Sequence, residues 1–165
     1  MKEIFESLPR KSVDDIRDHV LLDTCFFIHT FEHQKEHHLK ELIDKFNVAM
    51  TSFNAEEFLL KEHSVDERVR EYARKFLKHN PSISIVYIDV HPGDRSTEKT
   101  YVNDIDAELL AEIPDASDAV LIATAIKTNS KVLTKDKHHL FTVQLENYIK
   151  KYNLEVYKEY SDLLN

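Results

Sequence analysis

The chain has 165 residues, 42% of them hydrophobic and 32% charged, which reads as one soluble folded domain and excludes a disordered segment. Thirty acids against 22 Lys and Arg leave a formal net charge of −8, so contact with a polyphosphate needs a local basic patch or a bound cation. A single glycine excludes any phosphate cradle built from repeated glycines, and a single cysteine, Cys25, excludes an internal disulfide.

Residues 1–18 are polar, with Ile4, Phe5 and Leu8 forming one amphipathic turn, and read as an N-terminal extension that packs on a single domain over 19–165. His19-Val20-Leu21-Leu22-Asp23 is a short apolar run ending in an acid, the pattern of a buried parallel strand followed by a functional loop. From Phe26 to Phe46 apolar residues recur at helical spacing. Val48–Thr51 reads as a second strand, and Asn54–Glu62 and Asp66–Lys78 as helices, the latter stopped by Pro81. Residues 83–88 are β-branched or aromatic and form a third strand, and 91–99, which holds the only glycine, is the expected mobile loop. Helices over 103–112 and 115–127, a strand over 131–134, a helix over 142–152 and a last strand over 154–157 complete the pattern. Such alternation predicts an α/β fold with a parallel sheet of about five strands covered on both faces. The charged first 20 residues and short apolar runs predict a cytoplasmic protein with no secretory signal and no membrane contact.

Ligands of such a sheet bind outside the carboxyl ends of its strands. Asp23 ends the first strand, Glu57 follows the second, Asp118 starts the helix entering the fourth, and Asp136 lies just past that strand. Four acids at one edge repel one another unless they take up protons or a divalent cation neutralises them. Magnesium, bound by a few carboxylates with retained water, suits the set and can activate water or stabilise a phosphoryl oxygen. Each acid alone has an ordinary explanation, since acids at helix starts cap helices or meet the dipole. The combination carries the reading.

The runs Leu21-Leu22-Asp23-Thr24, Thr51 to Phe58 (TSFNAEEF), Ser117 to Ala125 (SDAVLIATA) and Val132 to Asp136 (VLTKD) resemble the four acidic motifs of PIN-domain nucleases, including VapC-like ribonucleases. The resemblance spans about residues 19–157, and its most specific part is the segment at Asp118 followed by that at Asp136. It implies a three-layer α/β/α sandwich and Mg²⁺- or Mn²⁺-dependent endonuclease action on single-stranded RNA. It implies catalytic and metal-binding roles for Asp23, Glu57, Asp118 and Asp136, with Asp115 as an additional ligand or a helix cap. Thr134 and Thr24 are supporting residues. Glu56 competes with Glu57, but Phe58 matches the apolar residue that follows the family's Glu. A toxin with an antitoxin partner, and a homodimer, are further expectations. A catalytically silent module for RNA binding or assembly is the alternative. An aspartyl-phosphate enzyme would need an acid where Cys25 stands.

Other clusters read less specifically. His29, His33 and His37 fall at i, i+4 and i+8, where a solvated helix face is the expectation. His138 and His139 read as a surface turn, and Cys25 as a buried apolar thiol. Arg70 and Arg74 on one helix face, and Lys135 and Lys137 near the last acid, are the candidate RNA-backbone contacts.

Overall fold

A computed structural model describes residues 1–136 and 140–165; Lys137, His138 and His139, and the expectations placed on them, lie outside the described residues. Among the described residues six strands form one sheet, β1 (Arg10–Ser12), β2 (Val20–Leu22), β3 (Val48–Thr51), β4 (Ser84–Tyr87), β5 (Lys131–Leu133) and β6 (Val156–Tyr157). Their order is β1-β4-β3-β2-β5-β6, and every pairing is parallel. The central strands VLL and VAMT are buried throughout, as a parallel sheet covered on both faces requires.

Alternation along these strands splits the core in two. Val20, Leu22, Val48, Met50 and Ile85 face one layer; Leu21, Ala49, Val86 and Val132 face the other. The first layer is built from α1 (Lys2–Ser7), α2 (Thr24–Glu32), α3 (Glu36–Lys45), α4 (Ser52–Lys61), α5 (Glu67–His79) and the short α10 (Ser161–Leu164). Its centre is aromatic: the Phe5, Phe27 and Phe58 rings meet at centroid distances of 5.7 to 6.3 Å. The second layer holds α6 (Arg95–Ile105), α7 (Leu109–Glu112), α8 (Ala116–Thr128) and α9 (Val143–Ile149). The result is the three-layer α/β/α sandwich.

The differences from expectation have local causes. Arg10–Ser12, within the polar extension, joins the sheet as its sixth strand, pairing Arg10 with Ile85; its three side chains are exposed, so no apolar pattern marks it. The helix expected over 26–46 is two helices. Gln34 turns at φ +53 and the Lys35 amide donates to the Thr30 carbonyl at 2.7 Å, closing α2 before α3 starts. The expected mobile loop at 91–99 is half helix, because Asp94 caps α6 by accepting from the Thr97 amide at 3.2 Å. Turns elsewhere are closed by residues other than glycine: Asn129 and Asn153 take left-handed conformations at φ +49 and +53. Among the described residues, no helix is long and apolar enough to cross a membrane.

The strand order places the site. From β2 the chain moves to β3 and β4 on one side, then returns through α6–α8 to β5 on the other. The carboxyl ends of β2 and β5 are therefore the topological switch point, where open α/β sheets form their crevice. The Asp23 amide donates to the Leu133 carbonyl at 2.9 Å and zips the two ends together.

Candidate functional site

Asp23 follows β2 and caps α2, its Oδ1 accepting from the Thr24 amide at 2.7 Å. The carboxylate also accepts from Thr134 Oγ1 at 2.5 Å and Cys25 Sγ at 2.9 Å, both on Oδ2, and from Asn54 Nδ2 at 3.3 Å on Oδ1. All four donors are neutral. Among the described residues, no Lys or Arg hydrogen-bonds this carboxylate. Burial holds the Asp23 carboxyl above its ordinary 3.8; bonds from Cys25, Thr134 and Thr24 oppose that rise, and the charge of Asp136 adds to it.

Glu57 projects from α4 into the same network. The Thr24 hydroxyl donates to Glu57 Oε2 at 2.8 Å, and Asn54 Nδ2 lies 3.3 Å from the same oxygen. Asn54 thus reaches both carboxylates. Its own position is set by Thr51, the cap of α4, whose hydroxyl donates to Asn54 Oδ1 at 2.6 Å and accepts from the Asn54 amide at 3.0 Å. Burial raises the Glu57 carboxyl above 4.5, with Asp23 raising it further and Thr24, Lys61 and Asn54 lowering it. The Lys61 ammonium stands 3.9 Å away on the exposed side. Glu56 turns elsewhere: its carboxylate meets the exposed His91 ring at 2.8 Å.

Thr134 links the third acid to the first. While its hydroxyl serves Asp23, its oxygen accepts from the Asp136 amide at 3.0 Å, which ties the turn after β5 to the end of β2. Asp118 sits in the first turn of α8, half-buried. Residues 129 and 130 alone separate that helix from β5, so it runs back along the sheet and its first turn lies at the carboxyl edge. Asp115 caps α8, accepting from the Ser117 amide at 3.0 Å, and pairs with Arg95 at 3.4 Å. Ser117 donates to Glu98 at 3.1 Å; Glu98 is fully buried and also accepts from the Gly93 amide at 2.9 Å. That clamp sets the α8 start against the α6 start.

The predicted acids share this edge without crowding it. Among the described residues, the group of three His, Cys, Asp or Glu ligand atoms lying within 4.8 Å of one another is His29, Glu32 and His33, not the acids. A spaced set of hard oxygen donors, two of them half-buried and pushed towards protonation, fits a cation that keeps part of its water shell. It fits magnesium or manganese better than a fully dehydrated ion.

One expectation changes. Cys25 is not an apolar core thiol: it is half-exposed, donates to Asp23 and accepts from the Lys135 amide at 3.3 Å. Burial first, then the Asp23 charge, pushes the thiol up to about 12, so it stays protonated and acts as a donor. Lys135 gives its ammonium to Glu159 and stands over the Phe26 ring, 5.6 Å from its centroid. Arg74 pairs with Glu71 at 2.7 Å, and with Lys78 it lines a pocket against Met1, Lys2, Glu3 and Glu62. Arg70 Nε is buried. Since α5 leads into the amino end of β4, Arg74 and Lys78 lie towards the opposite edge of the sheet from the acids. The sequence reading missed Cys25 and Glu98; the first had a signal in its place two residues past Asp23, the second had none.

Against known proteins, the PIN domain family model matches residues 20–142. The fold is similar to the crystal structure of VapBC2 from Rickettsia felis bound to a DNA fragment from their promoter, with a TM-score of 0.53 and 17% identity. That likeness covers 84% of this chain and 96% of the other. No curated protein matches the chain.

Proposed function

Because the chain belongs to the PIN-domain family, we propose that it is a metal-dependent endoribonuclease whose site is Asp23, Glu57, Asp118 and Asp136. The observation that carries this reading is the Asp23 carboxylate. It lies at the switch point of the sheet, surrounded by neutral donors, and is coupled to Glu57 through Asn54 and Thr24. Burial without a protein cation is a cost that a bound divalent ion offsets.

When bound, Mg²⁺ or Mn²⁺ supplies positive charge for the phosphodiester and water of lowered pKa. The chain's own residues do the rest. Thr134 and the Thr24 amide fix the Asp23 carboxylate in one orientation. Asn54 holds Asp23 and Glu57 apart while donating to both. Glu57, raised by burial and by Asp23, is the proton acceptor for the attacking water. Asp118 and Asp136 complete the charge at the edge, and Asp115 acts as the helix cap.

Single-stranded RNA is the substrate class, and the protein works as the toxin of a toxin–antitoxin pair. Support for the partner is the similar fold of VapBC2 in its promoter complex. The test is cleavage of a labelled single-stranded RNA by purified protein with Mg²⁺ or Mn²⁺, compared with EDTA and with Asp23→Asn and Asp118→Asn. Loss in all three is expected. Cleavage persisting in EDTA, or in both variants, overturns the mechanism. A folded chain that neither binds metal nor cleaves is instead the silent module.

A further inference from the structure

The sequence His29-Thr30-Phe31-Glu32-His33 places three metal-type side chains at i, i+3 and i+4, on one face of α2. In the structure a ligand atom from each lies within 4.8 Å of the other two, and the imidazole centroids of His29 and His33 are 4.0 Å apart. We propose that this last turn of α2 is a second cation site, binding one transition-metal ion of the Zn²⁺ class through His29, Glu32 and His33.

Three physical features support it. Tetrahedral zinc with bonds of about 2.0–2.1 Å needs its ligand atoms roughly 3.3 Å apart. Glu32 and His33 are exposed, so modest side-chain rotation closes the gap without moving the backbone. The site also lies at the helix C-terminus, where His33 is the cap and its amide donates to the His29 carbonyl at 3.1 Å; the negative end of the dipole favours a cation there. The nearby Lys135 and Lys35 ammonium groups both pair with Glu159.

The donor set decides which ion. Two nitrogens and one carboxylate select Zn²⁺, Ni²⁺ or Cu²⁺, whereas the all-oxygen acids at the sheet edge suit Mg²⁺ or Mn²⁺. His37 does not join, because the turn at Gln34 carries it onto α3, where its ring lies tilted beside that of His38, 4.0 Å between centroids. Three protein ligands leave the fourth position for water or an exchangeable group.

Calorimetric titration of the full chain with Zn²⁺ alone, under excess Mg²⁺, tests the site. Binding of one Zn²⁺ per chain is expected, retained in Asp23→Asn and weakened at least ~10-fold in His33→Ala and in His29→Ala. Far-UV circular dichroism checks that each variant is folded, and the visible absorption of bound Co²⁺ reports nitrogen ligation directly. RNA cleavage in Mg²⁺ is expected to be unchanged by His33→Ala. Zn²⁺ affinity equal in wild type and both His variants, no Zn²⁺ binding under Mg²⁺, or binding lost in Asp23→Asn but kept in His33→Ala would each overturn the proposal.

Discussion

Replacing Asp23 by Asn separates chemistry from folding. Asn is as good a helix cap as Asp, so the bond from the Thr24 amide survives. The charge does not. Asn54 Nδ2 lies 3.3 Å from oxygens of both Asp23 and Glu57, so those oxygens are no more than about twice that distance apart. At roughly 6 Å and an effective dielectric near 20, two unit charges repel by about 3 kcal/mol. Partial exposure of Asp23 screens this to something of order 1–2 kcal/mol. The amide NH2 that replaces Oδ2 cannot accept from Thr134 and Cys25, which offsets part of this relief, so without metal Asp23→Asn is expected to lie within about 2 kcal/mol of wild type, a shift of at most a few degrees in Tm. Added Mg²⁺ should raise the Tm of wild type and leave the variant's nearly unchanged. RNA cleavage should fall by at least ~10²-fold. Paired thermal melts and cleavage assays, each with and without Mg²⁺, read all three effects. A variant that loses more than ~2 kcal/mol without metal and still cleaves would refute the electrostatic reasoning.

Other perturbations probe single contacts. Glu57→Gln should abolish cleavage while Glu56→Gln leaves it intact, because Glu57 faces Asp23 and Glu56 faces His91; equal effects in the same cleavage assay would contradict this. Asn54→Asp puts a third charge between two carboxylates and should lower metal-free stability by about 1–3 kcal/mol in urea melts, with Mg²⁺ recovering much of it. Thr134→Val removes the donor to Asp23 and the acceptor for the Asp136 amide; a loss of about 1–3 kcal/mol is expected, with the acid limb of the pH–rate profile moved upward. The pH dependence of metal-free stability follows from the raised Asp23 and Glu57 carboxyls. The folded chain holds protons there that the unfolded chain releases above about 3.8 and 4.5, so this pair's contribution worsens as pH rises through that window to the folded values. Urea melts across pH should show the effect in wild type and a smaller one in Asp23→Asn, where burial still raises Glu57.

The central fold was legible because burial leaves a mark. Val48–Thr51 occupies the residues its apolar run indicates, and the Asp23 and Asp136 turns follow strands whose residues are buried on both faces. Elements without buried side chains left no such mark. Arg10–Ser12 enters the sheet through backbone hydrogen bonds alone, and the break at Gln34 is a backbone turn inside a run whose helical periodicity continues through it. Periodicity reports which face is apolar; it does not report where the backbone turns or which edge accepts one more strand.

The site was legible in the same one-sided way. Charged residues at strand ends are conspicuous, and topology alone places four of them along one edge. What sets the edge apart is the neutral set around them. Asn54 bridges Asp23 to Glu57, Thr134 ties Asp23 to the Asp136 turn, and Cys25 donates its thiol to Asp23. That last bond has a consequence. The four donors already engage both Asp23 oxygens, so a cation must take a direction that one of them now occupies. A thiol is the poorest hydrogen-bond donor type of the four, and Cys25 is half-exposed whereas Thr24, Asn54 and Thr134 are buried. Cys25→Ser would replace it with a stronger donor in nearly the same place. If the thiol is what yields to the cation, Cys25→Ser should weaken Mg²⁺ binding several-fold while leaving the metal-free fold intact. Cys25→Ala should keep or improve the affinity. Titration of Mg²⁺ against Tm in the two variants decides it: equal behaviour would mean that a different donor gives way.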